Sequence, residues 1–215
     1  MKCRLCGAEE LQAFRVAALD YHECGRCSYI GLSPRHHPSH EAELARYRLH
    51  RNELSDPGYR RFLEVFLQKG VAPFLPRGGR VLDFGSGPVP ALAALLEEGG
   101  WNCKPYDPFF APAEAWRRRQ WDCIVLHEVA EHLRQPGRTL RALACRLIPG
   151  GLLAIRTRFR PISREAFATW WYREDPTHLG FFAPPCLRHF AAGSALEVVV
   201  IEEPDLALFR RPLLT

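Results

Sequence analysis

The stretch that decides the fold runs from residue 80 to residue 92 and reads Arg-Val-Leu-Asp-Phe-Gly-Ser-Gly-Pro-Val-Pro-Ala-Leu. Its apolar beginning predicts a buried strand that ends near Phe84, because a short apolar run bounded by glycine is typical of a parallel sheet. Gly85 and Gly87 then allow a tight turn, and Pro90 suits the first turn of a helix. A strand, a glycine turn and a helix in this order bring the backbone close to a bound nucleotide.

The rest of the chain repeats this alternation of apolar strands and amphipathic helices. Further strands are predicted at residues 102–106, 121–127, 152–157, 195–201 and 206–210, and further helices at residues 136–147 and 185–192. The last two strands predict a closing antiparallel hairpin. The alternation as a whole predicts an α/β fold in which helices flank a mostly parallel sheet.

Composition and charge limit the class of protein. The chain has 215 residues, of which 47% are hydrophobic and 25% charged, an ordinary balance for a globular domain with a small accessory module. No run of 18 uncharged apolar residues occurs, so we expect no membrane-spanning helix. The first ten residues lack an apolar signal region, which predicts a cytoplasmic protein. Of the net charge of +5, residues 34–80 carry +4, from nine basic and five acidic side chains.

Four of the eight cysteines form two Cys-x2-Cys pairs, Cys3 with Cys6 and Cys24 with Cys27. A two-residue gap lets both thiolates of a pair reach one ion, and two such pairs supply the ligands of a tetrahedral structural zinc site. We therefore predict a zinc ribbon in residues 1–33, the alternative being four unrelated buried thiols. The remaining cysteines are predicted to be core thiols: Cys103, Cys123, Cys145 and Cys186.

Residues 34–76 are predicted to be a linker followed by a helical connector. Ser39 is expected to cap a helix that reaches about residue 54, and Asp56 to cap a second helix that Gly70 ends. The linker histidines are expected to be solvated rather than metal ligands: His36, His37 and His40. The connector arginines predict a solvated face, with phosphate binding as the alternative: Arg46, Arg48, Arg51, Arg60 and Arg61.

Four segments together resemble class I S-adenosylmethionine-dependent methyltransferases. They are VLDFGSG at residues 81–87, YDP at 106–108, WDCIVLHEVAEHL at 121–133 and LIPGGLLAIRT at 147–157. The resemblance spans residues 77–201, and the last two segments are most similar to the quinone-methylating and related small-molecule branch. An N-terminal four-cysteine module before such a domain is also similar to sugar C-methyltransferases and to some ribosomal-RNA methyltransferases.

The resemblance implies a fold and a division of the chain. The implied fold is a Rossmann-like, doubly wound, mostly parallel sheet with a C-terminal antiparallel hairpin, preceded by a small zinc-ribbon module. The zinc ribbon would occupy residues 1–33, the linker and helical connector residues 34–76, and the S-adenosylmethionine-binding domain residues 77–215.

The resemblance also implies which residues bind S-adenosylmethionine. Asp83 would support the loop near the methionine moiety, and Asp107 would bind the ribose hydroxyls. His127 and Glu128 would flank the cofactor and face the substrate cleft. The full implied set is Asp83, Gly85, Ser86, Gly87, Asp107, Pro108, Phe109, His127 and Glu128. The residues that lie where this family often closes a lid are Tyr47, His50 and Tyr59.

Two departures from the family pattern bear on cofactor binding. The last glycine of the usual D-x-G-x-G-x-G is Val89 here, which predicts a stiffer loop. Only 13 residues separate Asp107 from Trp121, so the usual third strand is expected to be missing. Binding of a nicotinamide dinucleotide fits less well because it needs the third glycine, and a zincin metalloprotease is excluded because His127 and His132 are five residues apart rather than four.

An aromatic loop at residues 169–182 follows the last parallel strand and should lie over the carboxyl ends of the strands, where ligands bind. His178 begins an H-x-x-F-F segment that similar methyltransferases carry at this place. We predict His178 and Glu128 as catalytic residues, His178 taking a proton with Asp175 or Glu128 orienting it; the alternative is that His178 only hydrogen-bonds the loop backbone. Nearby residues expected to pack or to be exposed, rather than to meet substrate, are Trp170, Trp171, Tyr172, Arg156, Arg158 and Arg160.

The sequence thus predicts a methyltransferase that uses S-adenosylmethionine, holds structural Zn²⁺, and methylates a small molecule on oxygen or carbon. One alternative is methylation of ribosomal or transfer RNA, with the ribbon and the connector binding the substrate. The neutral ribbon and the lack of an Asn/Asp-Pro-Pro-Tyr motif disfavour nucleic acid as the partner. Another alternative is a non-catalytic scaffold on the same fold. Neither a membrane partner nor an oligomeric state is predicted.

Overall fold

The computed structural model describes residues 1–49 and 52–213. The strands are β1 (Leu11–Val16), β2 (Leu19–Cys24), β3 (Ile30–Leu32), β4 (Arg80–Phe84), β5 (Asn102–Tyr106), β6 (Trp121–His127), β7 (Leu147–Arg156), β8 (Gly180–Phe181), β9 (Glu197–Glu202) and β10 (Leu206–Arg210). The α-helices are α1 (His40–Tyr47), α2 (Pro57–Phe66), α3 (Ala91–Glu98), α4 (Pro136–Ala144), α5 (Arg164–Ala168) and α6 (Pro184–Ala192). His50, assigned above to a lid, and Arg51, assigned to a solvated face, lie outside the described residues. Within that described part, no helix combines the length and apolar character needed to cross a membrane.

Six strands form the main sheet in the order β5-β4-β6-β7-β10-β9. β5, β4, β6 and β7 are parallel, whereas β10 runs antiparallel to both β7 and β9. The predicted mostly parallel α/β sheet with its closing antiparallel hairpin is therefore confirmed. Between β5 and β6, all of which the structure describes, the chain forms only a bridge of Asp107 with Ala111 and a 3-10 turn at Glu114–Arg118, so the expected absence of a third strand is also confirmed.

Helices cover both faces of this sheet because side chains of a strand alternate between the faces. Val81 of β4 and Cys123 of β6 pack in the core formed with α2 and α3. Their neighbours Leu82 and Ile124 pack on the opposite face in the core formed with α4 and α6. This two-sided burial explains why β4 and β6 are largely apolar, and it leaves the carboxyl ends of the strands as the open edge of the sheet.

The N-terminal segment forms a second, antiparallel sheet in the order β1-β2-β3-β8. Its last strand comes from the loop after β7, with Ile30 opposite Phe181 and Gly31 opposite Gly180. A Cβ at Gly180 would lie 2.0 Å from the Tyr29 hydroxyl, so only glycine allows this pairing. The four cysteines predicted to act together do form a cluster beside this sheet.

α1 is shorter than predicted. Ser39 caps it as expected, since its hydroxyl accepts the N–H of Ala42 at 3.2 Å. The helix ends at Tyr47 instead of near residue 54. Beyond Tyr47 the sequence lacks a periodic apolar face that would bury against the sheet, and Leu49 is 71% exposed.

α2 begins where predicted, with Asp56 as its cap, but Gly70 does not end the helical segment. The chain continues into a π-helical turn at Leu67–Val71. Gly70 lies inside this turn, and a Cβ there would be 3.2 Å from Leu206 of β10. The glycine therefore serves close packing of the turn on the sheet rather than termination.

β7 begins earlier than predicted, and Leu147 belongs to this strand instead of to α4. Trp121 pairs with Leu147 while Cys123 pairs with Leu152, so the intervening residues of β7 bulge out of the ladder. Gly150, with φ of +79°, supports this bulge. The Pro-Gly-Gly segment thus interrupts a strand, where the sequence predicts a turn before one.

Of the arginines predicted to be exposed, Arg160 is buried and Arg156 is partly buried, each by an ion pair with a distant segment. The Arg160 side chain is 5% exposed and donates to the carbonyl of Ser28 and to the carboxylate of Glu23, both at 2.8 Å. Arg156 donates to Asp205 at 2.8 Å. The prediction is wrong for these two because their partners come from other parts of the chain, and Arg160 holds the segment after β7 against the N-terminal sheet.

The linker and one cysteine also differ from expectation. His36 contacts the carboxylate of Asp20 at 2.6 Å, and His37 contacts the carbonyl of Leu32 at 3.1 Å, so neither is simply solvated. Cys145 is exposed at the end of α4, which contradicts its assignment to the core. The other three single cysteines are buried as predicted: Cys103, Cys123 and Cys186.

Candidate active site

A cleft of about 760 Å³ lies at the carboxyl ends of β4, β5 and β6. Ligands bind at this edge of doubly wound sheets. The connector forms the opposite wall through Tyr47 of α1 and Tyr59 of α2. Every residue that the sequence assigns to the cofactor or to catalysis lines this cleft: Asp83, Gly85, Ser86, Gly87, Asp107, Pro108, Phe109, His127, Glu128 and His178.

The glycine turn after β4 forms the floor of the cleft. The N–H groups of Gly85 and Ser86 donate to the carbonyl of Tyr106 at 2.7 and 3.1 Å, which ties the turn to β5. Gly85 has φ of +88°, and a Cβ on it would lie 2.5 Å from the side chain of Val129. Gly87 has φ of +69° but would meet nothing within 4 Å. Gly85 therefore allows the turn to pack against Val129, and Gly87 leaves its backbone accessible to a ligand in the cleft.

Asp107 organises the chain just after β5. Its Oδ2 accepts the N–H of Gly87 at 3.0 Å, and its Oδ1 accepts the N–H groups of Phe109 and Phe110 at 2.8 and 3.2 Å. A carboxylate offers about four acceptor positions, so about one remains, on Oδ2, for a group in the cleft. Asp107 thus joins the two loops that border the cleft and retains capacity for a ligand.

Three buried polar atoms that line the cleft have no hydrogen-bond partner: Oδ2 of Asp83, Oγ of Ser86 and Nε2 of His127. Buried polar groups are normally paired, so an unpaired set around one cleft indicates a site shaped for a polar ligand. Burial raises the pKa of Asp83 to about 7. Burial, aided by the charge of Arg156, lowers the pKa of His127 to about 3, so this imidazole is neutral.

Aromatic side chains close the cleft at two places. Phe109 contacts His40 and Tyr47 of α1 with ring centroids 4.5 and 5.4 Å apart. His127 is held between Phe62 and Phe66 of α2, with centroid distances of 4.8 and 5.0 Å. The connector therefore covers the cleft, at the position where the resemblance implies a lid.

Val89, which replaces the last glycine of the family pattern, is 40% exposed and does not line the cleft. Pro90 follows it as the cap of α3, as predicted. The replacement therefore leaves the lining of the cleft intact.

Glu128 and Glu131 share one hydroxyl group. The hydroxyl of Tyr172 lies 3.0 Å from Oε2 of Glu128 and 2.7 Å from Oε1 of Glu131. Burial, together with the charge of Glu131, raises the pKa of Glu128 to about 8. Because a hydroxyl has a single proton, Tyr172 donates to Glu131 while a protonated Glu128 donates to Tyr172. A proton on Glu128 at neutral pH thus satisfies all three groups.

His178 is oriented by the backbone, not by an acidic side chain. Its Nδ1 lies 2.6 Å from the carbonyl of Tyr172, so Nδ1 carries a proton, and the neutral form of the ring has its lone pair on Nε2. Asp175 instead accepts hydrogen bonds from Arg46 and Thr177, and Glu128 bonds Tyr172. The prediction that Asp175 or Glu128 orients His178 is wrong. His178 does make the backbone contact weighed as its alternative, and it still lines the cleft.

The sequence did not single out three residues of the site: Glu131, His132 and Thr157. Glu131 and His132 lie in the segment HEVAEHL, in which the resemblance implies roles only for His127 and Glu128. Nδ1 of His132 bonds the carbonyl of Thr177 at 2.9 Å, and burial lowers the pKa of His132 to about 4. The sequence signal that could have indicated Glu131 and His132 was a glutamate directly next to a histidine.

Of Trp170, Trp171 and Tyr172, Trp170 and Tyr172 pack as expected, whereas Trp171 is 64% exposed.

The N-terminal cysteine cluster has the dimensions of a zinc site. Sγ of Cys3 lies 3.8 Å from that of Cys27, and Sγ of Cys6 lies 3.6 Å from that of Cys24. Four sulfurs bound to one tetrahedral zinc at about 2.3 Å are about 3.8 Å from each other. The donor type and spacing of the cluster therefore fit a structural zinc ion.

Residues 59–200 match a family model described as a methyltransferase domain. The match covers more than half of the chain and includes β4 to β7 with the glycine turn, Asp107 and Glu128. The chain belongs to this methyltransferase family. The cleft at the carboxyl ends of these strands is thus the candidate active site of a methyltransferase.

Solved structures share the fold at low identity. A chain from the complex of the Haloferax volcanii Trm112 methyltransferase activator with a methyltransferase is similar (16% identity, TM-score 0.58, 79% of this chain and 97% of that one). So are YcgJ of Bacillus subtilis (17%, 0.53, 66% and 71%) and an O-methyltransferase family 2 protein of Planctomyces limnophilus in complex with apigenin (15%, 0.54, 81% and 62%). At these identities the likeness shows the fold alone. No curated protein matches the chain.

Proposed function

We propose that this methyltransferase uses S-adenosylmethionine and methylates a small molecule on an oxygen or carbon nucleophile. The observation that carries the proposal is the set of unpaired buried atoms of Asp83, Ser86 and His127 around the glycine turn. They make the cleft polar where a charged, hydroxyl-rich ligand would lie. Further along, the same cleft is lined by Glu128 and His178, which can exchange a proton with a second ligand.

In this proposal the loops after β4 and β5 hold the cofactor. S-adenosylmethionine supplies a methyl group on a positively charged sulfur. Gly87 lets backbone approach the ligand, the free acceptor position of Asp107 takes ribose hydroxyls, and Phe109 with Pro108 lies beside the adenine. Asp83, buried and missing one partner, lies where a cationic amino group would pair with it.

The acceptor would occupy the part of the cleft next to Glu128 and His178. Transfer of an activated methyl group is an in-line displacement, so the chain mainly has to align the acceptor and remove its proton. Nε2 of His178 has a free lone pair, and a carboxyl group with a pKa of about 8, such as Glu128, can both take and release a proton near neutral pH. Both residues are therefore proposed as catalytic.

The enclosure of the cleft supports a small acceptor, such as the quinone-type ring that the resemblance implies. α1 and α2 cover the cleft through aromatic contacts on Phe109 and His127. An RNA strand needs an open, positively charged groove, whereas the side chains of residues 1–33 sum to zero charge.

We further propose that Cys3, Cys6, Cys24 and Cys27 hold a structural zinc ion. Residues 1–33 would then be a zinc ribbon, residues 34–76 a connector that closes the cleft, and residues 77–215 the cofactor-binding domain. The shared strand β8 makes the ribbon part of the same folded unit as the loop that carries His178.

Transfer of tritium from methyl-labelled S-adenosylmethionine tests this function. The zinc-loaded protein is incubated with a metabolite extract and, separately, with total RNA from the same cells. We expect label in small molecules, strongly reduced by Glu128→Gln and unchanged by Glu97→Gln, a substitution on α3 outside the cleft lining. Label in RNA alone would contradict the proposed acceptor class.

A further inference from the structure

Three hydrogen-bond acceptors converge beside the cleft. Glu131, His132 and His178 each contribute one such atom, a carboxylate oxygen or a ring nitrogen, and the three atoms lie within 4.8 Å of one another. The Nε2 of His132 lies 3.9 Å from Oε1 of Glu131, too far for a hydrogen bond. Glu131 is fully buried, and both histidines line the cleft.

The positions of the protons follow from the backbone around the two rings. Nδ1 of His132 faces the carbonyl of Thr177 at 2.9 Å, and Nδ1 of His178 faces that of Tyr172 at 2.6 Å. A carbonyl can only accept, so Nδ1 bears a hydrogen in both rings, and the neutral form of each ring has its lone pair on Nε2. In the described part of the chain, neither Nε2 has a hydrogen-bond partner.

The carboxylate is fixed by two hydroxyl groups. Thr157 donates to Oε2 of Glu131 at 2.7 Å, and Tyr172 donates to Oε1 at 2.7 Å. Each oxygen keeps a second acceptor position. With both rings neutral, the cluster therefore offers a carboxylate and two imidazole lone pairs close together, an arrangement that attracts a cation.

We propose that Glu131, His132 and His178 bind a divalent transition-metal ion. Two imidazoles and one carboxylate are the ligand set of catalytic zinc sites, with the remaining coordination position open to water or substrate. Backbone carbonyls on the Nδ1–H groups are the usual outer partners that orient metal-binding histidines. Ligand atoms at about 2.1 Å from the ion would be about 3.4 Å apart, so the observed spacings need only small inward shifts.

The open coordination position of the ion would face the cleft, because His132 and His178 line the cleft. If the proposed function holds, the ion binds an oxygen atom of the acceptor there, which selects acceptors with a hydroxyl or carboxylate group and makes a bound hydroxyl more acidic. In the metal-loaded protein His178 is then a metal ligand instead of a proton acceptor, and Glu128 alone exchanges the proton of the acceptor. The metal site itself does not depend on the proposed function.

Cobalt titration of the full chain, with zinc kept in the cysteine cluster and weakly held metal removed by dipicolinate, tests the site without cofactor or acceptor. We expect one further equivalent of Co²⁺, with a visible d–d spectrum and no thiolate-to-cobalt band. This spectrum should be lost in His132→Gln and His178→Gln. It should persist in His189→Gln, a histidine on α6 outside the cleft lining.

A milder variant guards against loss of folding. Thr157→Val keeps the shape of the side chain but removes the hydrogen bond to Glu131, so we expect Co²⁺ affinity to fall by about 10–100-fold. Absence of any cobalt spectrum beyond the cysteine cluster in the folded wild type would overturn the site, as would a spectrum unchanged by both histidine substitutions. Either result would leave cofactor binding, which is measured separately, untouched.

Discussion

Gly85 and Gly87 lie in one turn but differ in what a side chain would meet. Both have positive φ, so alanine at either costs about 1–3 kcal/mol of backbone strain. Only at Gly85 would the new Cβ also collide with Val129, at 2.5 Å. We therefore expect Gly85→Ala to lower the free energy of unfolding clearly more than Gly87→Ala in urea titrations. Equal losses would contradict the packing role assigned to Gly85.

The carboxyl group of Asp83 makes stability depend on pH. Burial raises its pKa from the ordinary value of 3.8 to about 7, so the folded state binds this proton more tightly than the unfolded state. The resulting stabilisation is fully present below about pH 4 and is lost as the pH rises through about 7. We expect Asp83→Asn to stabilise the protein more at pH 8 than at pH 5, by on the order of 2–3 kcal/mol.

Urea unfolding of the ligand-free protein at the two pH values measures this difference. Asp122→Asn serves as the control, since Asp122 is paired with Arg80 at the other end of the sheet and has no such penalty to relieve. A gain for Asp83→Asn that is the same at both pH values would contradict the raised pKa of the buried Asp83 carboxyl group.

At the scale of elements, the first Cys-x2-Cys segment, Cys3 to Cys6, is hydrogen-bonded to the methyltransferase domain. The carbonyl of Arg4 accepts the N–H of Gly137 at the start of α4 at 3.0 Å, and the Arg4 guanidinium donates to the carbonyl of Leu179 at 2.6 Å. A Cβ at Gly137 would lie 2.0 Å from the carbonyl of Leu5. The residues between Cys3 and Cys6 therefore contact both α4 and the strand that follows His178.

Removal of the proposed zinc should loosen those contacts selectively. With a strong chelator we expect faster hydrogen exchange at the amides of Gly137, which donates to Arg4, and Gly7, which donates to Cys3, and little change at Leu82 in the centre of β4. An amide exchanges slowly where its exposure requires global unfolding. Once its cysteines no longer bind zinc, the segment from Cys3 to Cys6 can unfold locally, so exchange there becomes faster. Exchange that rises equally at all three amides would show that the metal stabilises the whole fold instead.

The sequence predicts the elements well where local patterns decide them. β6 has the predicted ends because its largely apolar run stops at polar residues, His127 and Glu128. β5 ends as predicted at Tyr106, just before Asp107. The bulge at Gly150 and the π turn around Gly70 were not predictable, since each depends on a neighbouring strand that the sequence does not place. The second sheet was missed for the same reason: β8 has only two residues, and its pairing with β3 is a tertiary contact.

At the scale of the whole molecule, the candidate site combines two kinds of residue. Asp83, Gly85 and Asp107 belong to contiguous motifs, so their common position could be predicted. Glu131 meets Thr157 and Tyr172 across 26 and 41 residues of sequence, and only the folded chain shows that these groups share hydrogen bonds. Contiguous motifs therefore predict the residues proposed to hold the cofactor, whereas the hydrogen bonds of Glu131 with Thr157 and Tyr172 are evident only in the folded chain.

The account depends most on cofactor binding in the cleft, which calorimetric titration of the zinc-loaded protein with S-adenosylmethionine and S-adenosylhomocysteine measures directly. Asp107→Asn removes a charged acceptor beside Gly87, and Asp122→Asn removes a matched carboxylate that accepts the N–H of Arg80 far from the cleft. We predict micromolar binding that falls by about 10–100-fold in Asp107→Asn and is unchanged in Asp122→Asn. No binding of either ligand to the folded wild-type protein would contradict the account.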